Sequence, residues 1–305
     1  MIDRIEVEAG AAGGRIDDFL EARLGWLSRI RIRSAIRSGE CLVNGRTVDR
    51  GVRLSPGDVV TVELSAGPPT SMMPERIPLD ILYEDPDLAI VLKPAGMLVH
   101  PTRSVKAGTL ANALSGHWNP FLASEEGRGE FTRPVIRPGF VHRLDRLTSG
   151  LMVVAKHTPA LRVISLAFAK RQVNKRYLAI VAGVFDSLLS EIDKPIGRVL
   201  DAIPPWQVVP AGKSALTRVE VLAQNDSATL LSLEPVTGRT NQLRIHCAHA
   251  GHPILGDPAY GGPAAGRLCL HAALLRFRHP VSRQWLEFHS PMPGDMAAIW
   301  EHRGP

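Results

Sequence analysis

The chain has 305 residues, 45% of them apolar and 22% charged, which is the composition of a globular protein of one large or two smaller domains and excludes a low-complexity or fibrous chain. No run of about 18 apolar residues offers a membrane span, and the start, Met1-Ile2-Asp3-Arg4-Ile5-Glu6, lacks the basic-then-apolar order of a signal peptide. Three widely spaced cysteines, Cys41, Cys247 and Cys269, favour reduced thiols and a cytoplasmic location, and the net charge of +6 is compatible with a polyanionic partner. Helical spacing over 15–24 puts Ile16, Phe19, Leu20 and Leu24 on one face. A second helix is predicted over 29–37, capped by Ser28 and stopped before Gly39. Arg29, Arg33 and Arg37 recur every four residues along it, and no acid lies between Glu21 and Glu40. Asn44-Gly45 marks a hairpin turn after the strand at 41–43, and 59–63 reads as another strand.

A Pro-, Ser- and Gly-rich stretch follows and divides the chain into a small module at 1–65, a linker at 66–75 and a body at 76–305. In the body, strands are predicted at 88–92, 151–155 and 177–181, a turn at 93–96 and a helix at 159–171. A hairpin is predicted from 219–222 to 229–233, and a short helix over 241–250 closed by Gly251. The stretches 116–137 and 195–214 read as long loops. Hairpins with occasional helices favour an α+β fold over regular βαβ winding.

The most informative run is Gly139-Phe140-Val141-His142-Arg143-Leu144-Asp145-Arg146-Leu147-Thr148-Ser149-Gly150. It sets one carboxylate among three cations or potential cations, just before an apolar strand. Such an Asp is an anion near neutral pH, suited to be a nucleophile or an ion-pair anchor and unsuited to be a proton donor. From residue types alone, an ion pair of Asp145 with Arg143 or Arg146 is the simpler reading. Arg244 alone reads as a surface helix residue, and Tyr177 as a half-buried strand tyrosine. His246, Cys247, His249 and His252 crowd into seven residues without a recognisable zinc spacing, so no metal site is expected.

The run resembles the active-site motif His-Arg-Leu-Asp-x-x-Thr-Ser-Gly-Leu of RluA-type pseudouridine synthases, which isomerise a uridine within RNA. Further segments fit that family. Thr237-Gly238-Arg239-Thr240-Asn241-Gln242-Leu243-Arg244-Ile245-His246 is similar to its Thr-Gly-Arg-x-His-Gln-x-Arg-x-His motif, with Asn241 at the His position. Lys175-Arg176-Tyr177 matches Lys-x-Tyr, and Lys93-Pro94-Ala95-Gly96 matches Lys-Pro-x-Gly, with Leu92 where Asn is usual. Gly251-His252-Pro253-Ile254-Leu255-Gly256-Asp257 fits as well, and the pair after the Asp, Arg146-Leu147, departs from the usual acidic or polar one. The N-terminal order of two helices, Leu-Val-Asn-Gly, a Pro-Gly-Asp turn and a strand resembles the alpha-L RNA-binding domain of a ribosomal small-subunit protein.

The resemblance implies a mixed, mainly antiparallel catalytic sheet with a central cleft. It implies Asp145 as the catalytic carboxylate, Arg244 as its partner and Tyr177 as the tyrosine that stacks on a flipped uracil and offers its hydroxyl. The carboxylate could trap the sugar as an ester, add to the base or remove a ribose proton. Arg143 and Arg239 are candidate phosphate contacts. So are Arg29, Arg33 and Arg37, although residues 1–65 hold ten Arg and ten acids, so affinity there depends on charge placement. No cofactor and no metal are expected. The expected partner is RNA, ribosomal in preference to transfer RNA, bound by a monomer. The rival readings are the same reaction on transfer RNA and a non-catalytic ribosome-assembly factor.

Overall fold

The computed structural model describes residues 2–6, 13–24, 29–63, 72–120 and 136–302. The chain divides into two compact units, residues 1–79 with 98–138, and residues 80–97 with 139–305. The predicted cap Ser28 and most of the predicted linker lie outside the described residues.

The first unit contains β1 (Ile2–Glu6), α1 (Ile16–Arg23), α2 (Arg29–Arg37), β2 (Cys41–Val43), β3 (Arg46–Thr47), β4 (Val59–Glu63) and α3 (Leu110–Trp118). Its antiparallel sheet runs β1-β4-β2-β3. Ile16, Phe19 and Leu20 of α1 and Ile32 and Ile36 of α2 bury against Val43, Val60 and Val62 of the sheet. Asn44 and Gly45 take the left-handed conformation, φ 50° and 77°, that a tight hairpin turn demands. The arginine stripe of α2 is not the unopposed ridge its sequence suggests. Arg29 pairs with Asp18 and with Glu21 at 3.2 Å, and Arg33 pairs with Asp17 at 3.4 Å. The neutralising acids lie on α1, far enough back in the sequence to escape a local reading. Arg37 is exposed and has no carboxylate partner among the described residues.

The sequence predicts no helix at α3, and its last residues fall in the stretch 116–137 that reads as a loop. Thr109 and Asn112 close a capping box at its start. Residues 98–120 group with the first unit, and residues 73–75 bond to the start of α3. The amide of Asn112 donates to Met73 O at 2.9 Å, Glu75 N donates to Asn112 O at 3.1 Å, and the Glu75 carboxylate accepts from Gly108 N at 3.0 Å.

The second unit contains β5 (Asp80–Glu84), β6 (Leu88–Lys93), β7 (Gly139–Phe140), β8 (Ser149–Ala155), α4 (Thr158–Ala169), β9 (Asn174–Ala182), β10 (Glu191–Asp193), β11 (Ile196–Arg198), β12 (Trp206–Val208), β13 (Leu216–Gln224), β14 (Ala228–Pro235), α5 (Gln242–His249), β15 (Leu270–Arg278), β16 (Trp285–His289) and α6 (Gly294–Glu301). Ten strands form one sheet in the order β10-β13-β14-β9-β15-β8-β6-β5, with β16 beside β15 and β7 beside β8. Among the described pairings only β15 with β8 is parallel, so the fold is α+β with a mainly antiparallel sheet. The predicted loop 195–214 is a correction: it carries the β11–β12 hairpin. Every residue of β8 is buried, which explains why its sequence is a continuous apolar run without alternation. Two cores flank the sheet, one around Ala179, Val181, Leu231 and Leu243, the other around Ile90, Val153, Ile164 and Phe277.

Gly150 is the closest approach in this sheet. Its φ is +122°, and an added Cβ would lie 2.4 Å from Ala272 N and O on β15. Gly150→Ala therefore meets both an unfavourable backbone conformation and a rigid neighbouring strand. We expect it to cost about 2–4 kcal/mol of stability, read as a lowered urea midpoint.

Candidate active site

Asp145 opens a turn at the edge of β8, where Thr148 N donates to Asp145 O at 3.2 Å. Two neighbours in the motif hold that turn. His142, grouped with the cations on sequence, is a neutral structural residue. Its Nε2 accepts from Val153 N at 3.1 Å and its ring stacks on Phe168 at 4.8 Å. Burial, then Lys175, press its pKa down to about 3. Arg146 turns away from Asp145, its Nε donating to Gly96 O at 3.0 Å. Its carbonyl accepts from Gly96 N at 2.8 Å and from Lys93 Nζ at 3.2 Å.

Lys93 was read only as part of a turn. It is fully buried, and its ammonium also donates to Pro94 O at 2.8 Å and Met97 O at 2.9 Å. Burial lowers its pKa to about 8, against the pull of Asp145. One side chain thus ties the 93–97 turn to the turn that carries Asp145.

Asp145 forms its ion pair with Arg244 of α5, Nη1 to Oδ2 at 3.5 Å, and not with Arg143 or Arg146. Arg244 spends its two strong bonds elsewhere. Its Nε and Nη2 each donate to Asp257 at 2.7 Å, a bidentate pair in which Asp257 is wholly buried. Burial works against the charge of Arg244, but Asp257, then Asp145, hold its proton more firmly than usual. The guanidinium also lies over the ring of Tyr260, 5.0 Å from its centroid.

The loop before α5 is held by Gln242, which is buried with all four of its bonds made. Its oxygen accepts from Thr237 Oγ1 at 2.7 Å and Arg239 N at 3.0 Å; its nitrogen donates to Leu216 O at 2.9 Å and Thr217 Oγ1 at 3.0 Å. Asn241, the α5 cap, has the left-handed conformation, φ 54°. Its amide lies between the Tyr260 hydroxyl and the Asp145 carboxylate. One amide orientation sets its oxygen against the Asp145 carboxylate; in the other the nitrogen donates to Asp145 Oδ2 at 2.8 Å and Oδ1 at 3.2 Å, and the oxygen lies 3.1 Å from Tyr260 Oη, a hydroxyl that is also 3.1 Å from Trp206 O.

Tyr177 lies near the start of β9, across from Leu233 on β14 and Ala272 on β15. Burial, reinforced by the charge of Asp145, pushes its hydroxyl pKa well above the usual value. A single open cleft of about 870 Å³ is lined by Asp145, Tyr177, Arg143, Arg239, Asn241 and Arg244. Arg239 is steadied by Ser214 O at 3.0 Å, and Arg143 is exposed. Thus Asp145, Tyr177 and Arg244, named from sequence, converge, while Arg29, Arg33 and Arg37 belong to the first unit.

Two of the three crowded histidines, His246 and His252, have structural partners, and His249 is exposed. His246 Nε2 donates to Lys194 O at 3.0 Å and its Nδ1 meets Thr217 Oγ1 at 2.9 Å, while His252 Nδ1 donates to Ala182 O at 2.8 Å. Among the described residues Asp85, Asp87 and His279 form a group with metal-ligand spacing. Asp85 there already accepts from Tyr83 Oη, Asp87 N, Leu88 N and His279 Nε2, so hydrogen bonds account for it.

The sequence profile described as RNA pseudouridylate synthase matches residues 87–249, which include Asp145, Tyr177, Asn241 and Arg244. This chain belongs to the RNA pseudouridylate synthase family. An S4 domain matches residues 14–60, so the synthase carries an RNA-binding module ahead of its catalytic domain. It is 37% identical to the uncharacterized RNA pseudouridine synthase YlyB of Bacillus subtilis, over 94% of this chain and 93% of that one. It is 36% identical to the ribosomal large subunit pseudouridine synthase D of Vibrio parahaemolyticus, over 97% and 92%. Among solved structures, human RNA pseudouridylate synthase domain containing 1 superposes with a TM-score of 0.56 at 28% identity, covering 71% of the synthase and 84% of that chain. The synthase therefore has the fold and activity class that the motif run implied.

Two histidines give this enzyme a pH signature. Burial, then Arg267, lower the pKa of His271 to about 4, much as burial lowers that of His142 to about 3. Between pH 6.5 and about 4 the unfolded chain binds protons at these positions that the folded chain refuses. Stability present above pH 6.5 is lost as pH falls through that window, by up to ~1.4 kcal/mol per pH unit per histidine. Urea midpoints should fall steadily from pH 6.5 to 4.5, and the slope should shrink in His271→Gln.

Proposed function

We propose that the synthase converts specific uridines of large-subunit ribosomal RNA to pseudouridine, with ionised Asp145 as the reacting carboxylate. In this reading Tyr177 stacks on the flipped uracil, and Arg244 stabilises the charge of Asp145. The enzyme acts as a cytoplasmic monomer, away from membranes. The observation that carries the reading is the meeting of Asp145, Tyr177 and Arg244 in one open cleft. Near-full-length similarity to a protein named for the large ribosomal subunit points to the RNA class.

The chemistry asks for little else. Breaking the C–N glycosidic bond, turning the base and forming a C–C bond involves no net redox change and no transferred group, so no cofactor or metal is needed. The carboxylate can trap the sugar as an ester, add to the base or remove a ribose proton, and each route requires it ionised. The target base must leave its stack, at a cost of a few kcal/mol. Arg143 and Arg239 at the cleft would offset that through phosphate contacts, with Arg29, Arg33 and Arg37 adding to them from the S4 domain. The pairs of Arg29 with Asp18 and Glu21 are exposed, and such pairs are worth only about 0–1 kcal/mol, so an RNA phosphate can displace them.

The test is to map pseudouridines across all RNA of a strain lacking the protein. A site missing from large-subunit ribosomal RNA, restored by the wild-type gene and not by Asp145→Asn, is the expected result. A missing site in transfer RNA would reassign the substrate. No missing site would overturn the reading in favour of a non-catalytic assembly factor.

A further inference from the structure

A reacting carboxylate must be held in one rotamer without having its charge cancelled, and Arg244 is poorly placed to do the holding. Its strong bonds, both 2.7 Å, go to Asp257, and only Nη1 approaches Asp145, at 3.5 Å. Asn241 is much closer. With its nitrogen turned to the carboxylate, the amide reaches both oxygens, at 2.8 and 3.2 Å, and its far end lies 3.1 Å from the Tyr260 hydroxyl, which it shares with Trp206 O at 3.1 Å.

We propose that Asn241 is the positioning residue for Asp145, with Tyr260 as the anchor that fixes the Asn241 amide. The inference rests on the reading of Asp145 as the reacting carboxylate. Asn suits the position for two reasons. It caps α5 at φ 54°, ψ 22°, a left-handed conformation that Asn tolerates better than most residues with a side chain. It also presents a neutral donor that does not titrate, so it orients the carboxylate and leaves its charge for the reaction. Tyr260 is itself fixed, with its ring on the Arg244 guanidinium at 5.0 Å and its backbone N–H 3.3 Å from Asp257 Oδ1. Arg244 supplies the field, and Asn241 supplies the aim. A departure from the family motif, the replacement of its usual His by Asn241, thereby acquires a definite job.

The test uses the full-length enzyme and ribosomal RNA labelled with [5-³H]uridine, prepared from a strain lacking the protein. Forming the C–C bond at C5 releases the label to water. Asn241→Gly keeps the left-handed conformation accessible and removes the amide. Asn241→Asp keeps the shape and replaces the donor with an acceptor. Tyr260→Phe keeps the ring over Arg244 and removes the anchor. Both Asn241 variants should lose kcat by about 10- to 100-fold, with Kd for the RNA within about threefold of wild type. Tyr260→Phe should fall between them and wild type. Thermal melting should shift little in all three. Wild-type kcat in Asn241→Gly would overturn the proposal. So would a kcat loss matched by an equal loss of RNA binding or by a large drop in melting temperature, because that is what a purely structural role gives. Asp145→Asn, run alongside, separates the two levels. If it turns over, the Asp145 reading fails and the Asn241 inference goes with it. If it is dead while Asn241→Gly is fully active, only the inference about Asn241 fails.

Discussion

Asp145→Asn should abolish label release from [5-³H]uridine RNA while leaving RNA affinity within about twofold. The substitution is nearly isosteric and keeps an oxygen that can accept from Arg244 Nη1, now 3.5 Å from Oδ2. What it removes is the negative charge, which each plausible route needs, whether the carboxylate attacks the sugar, adds to the base or takes a ribose proton. Loss of such a group costs at least ~10³-fold in kcat. Affinity should survive because phosphate contacts come from cations such as Arg143 and Arg239 and from the S4 domain, none of which depends on the carboxylate. Removing a negative charge beside a polyanion can only ease binding. The measurement is single-turnover release at saturating enzyme with a parallel binding titration. Retention of more than about a tenth of wild-type turnover would rule out Asp145 as the reacting group.

The second large effect lies at Asp257, one shell removed from the reaction. Asp257 is fully buried and takes both strong bonds of Arg244, together with the N–H groups of Ala259 at 3.0 Å and Tyr260 at 3.3 Å. Asp257→Asn leaves a buried guanidinium without its main counter-charge. Breaking a buried pair from one side costs about 3–5 kcal/mol, because the remaining charge has lost water and gained nothing. Urea denaturation should register that loss. Turnover should fall as well, since an Arg244 released from Asp257 has Asp145 as its nearest remaining carboxylate and would neutralise it. Removing both charges gives a sharper check. Arg244→Met with Asp257→Asn should recover much of the lost stability, because no buried charge is left unpaired and the amide oxygen still accepts from Ala259 N and Tyr260 N, and should recover none of the activity. If the double variant regained turnover, Arg244 would have no role in the chemistry.

These predictions depend on different kinds of information. Asp145, Tyr177 and Arg244 could be proposed from sequence because each lies in a short motif, and the fold brings the three to one cleft. The hairpin at Asn44-Gly45, the buried strand β8 and the pair β13–β14 were legible because turn chemistry and hydrophobic runs are local properties. The helix at 110–118 was missed because its start rests on Thr109 and Asn112, a capping pair without the Glu or Gln that usually marks one. The β11–β12 hairpin was missed because its strands are three residues long and sit in a stretch that reads as loop.

Charge was where sequence order misled. The arginine stripe of α2 looked unopposed because its acids belong to α1, and His142 looked like a potential cation because its burial is not written in its neighbours. Lys93 read as a turn residue, yet it is the buried donor that joins two turns more than fifty positions apart in sequence.

By itself, the sequence determined the domain order and the mixed sheet and pointed to Asp145 as the proposed reacting carboxylate, because local patterns and motif residues carry these. Only the tertiary structure decided what surrounds that carboxylate: a distant Arg244 committed to Asp257, a close Asn241 anchored on Tyr260, and a Lys93 strut beneath. Those arrangements follow from where β8, β9, α5 and the 257–260 turn meet. Hydrogen bonds and ion pairs depend on distances of a few ångströms between residues that lie from 13 to 99 positions apart here, and only the folded chain sets those distances.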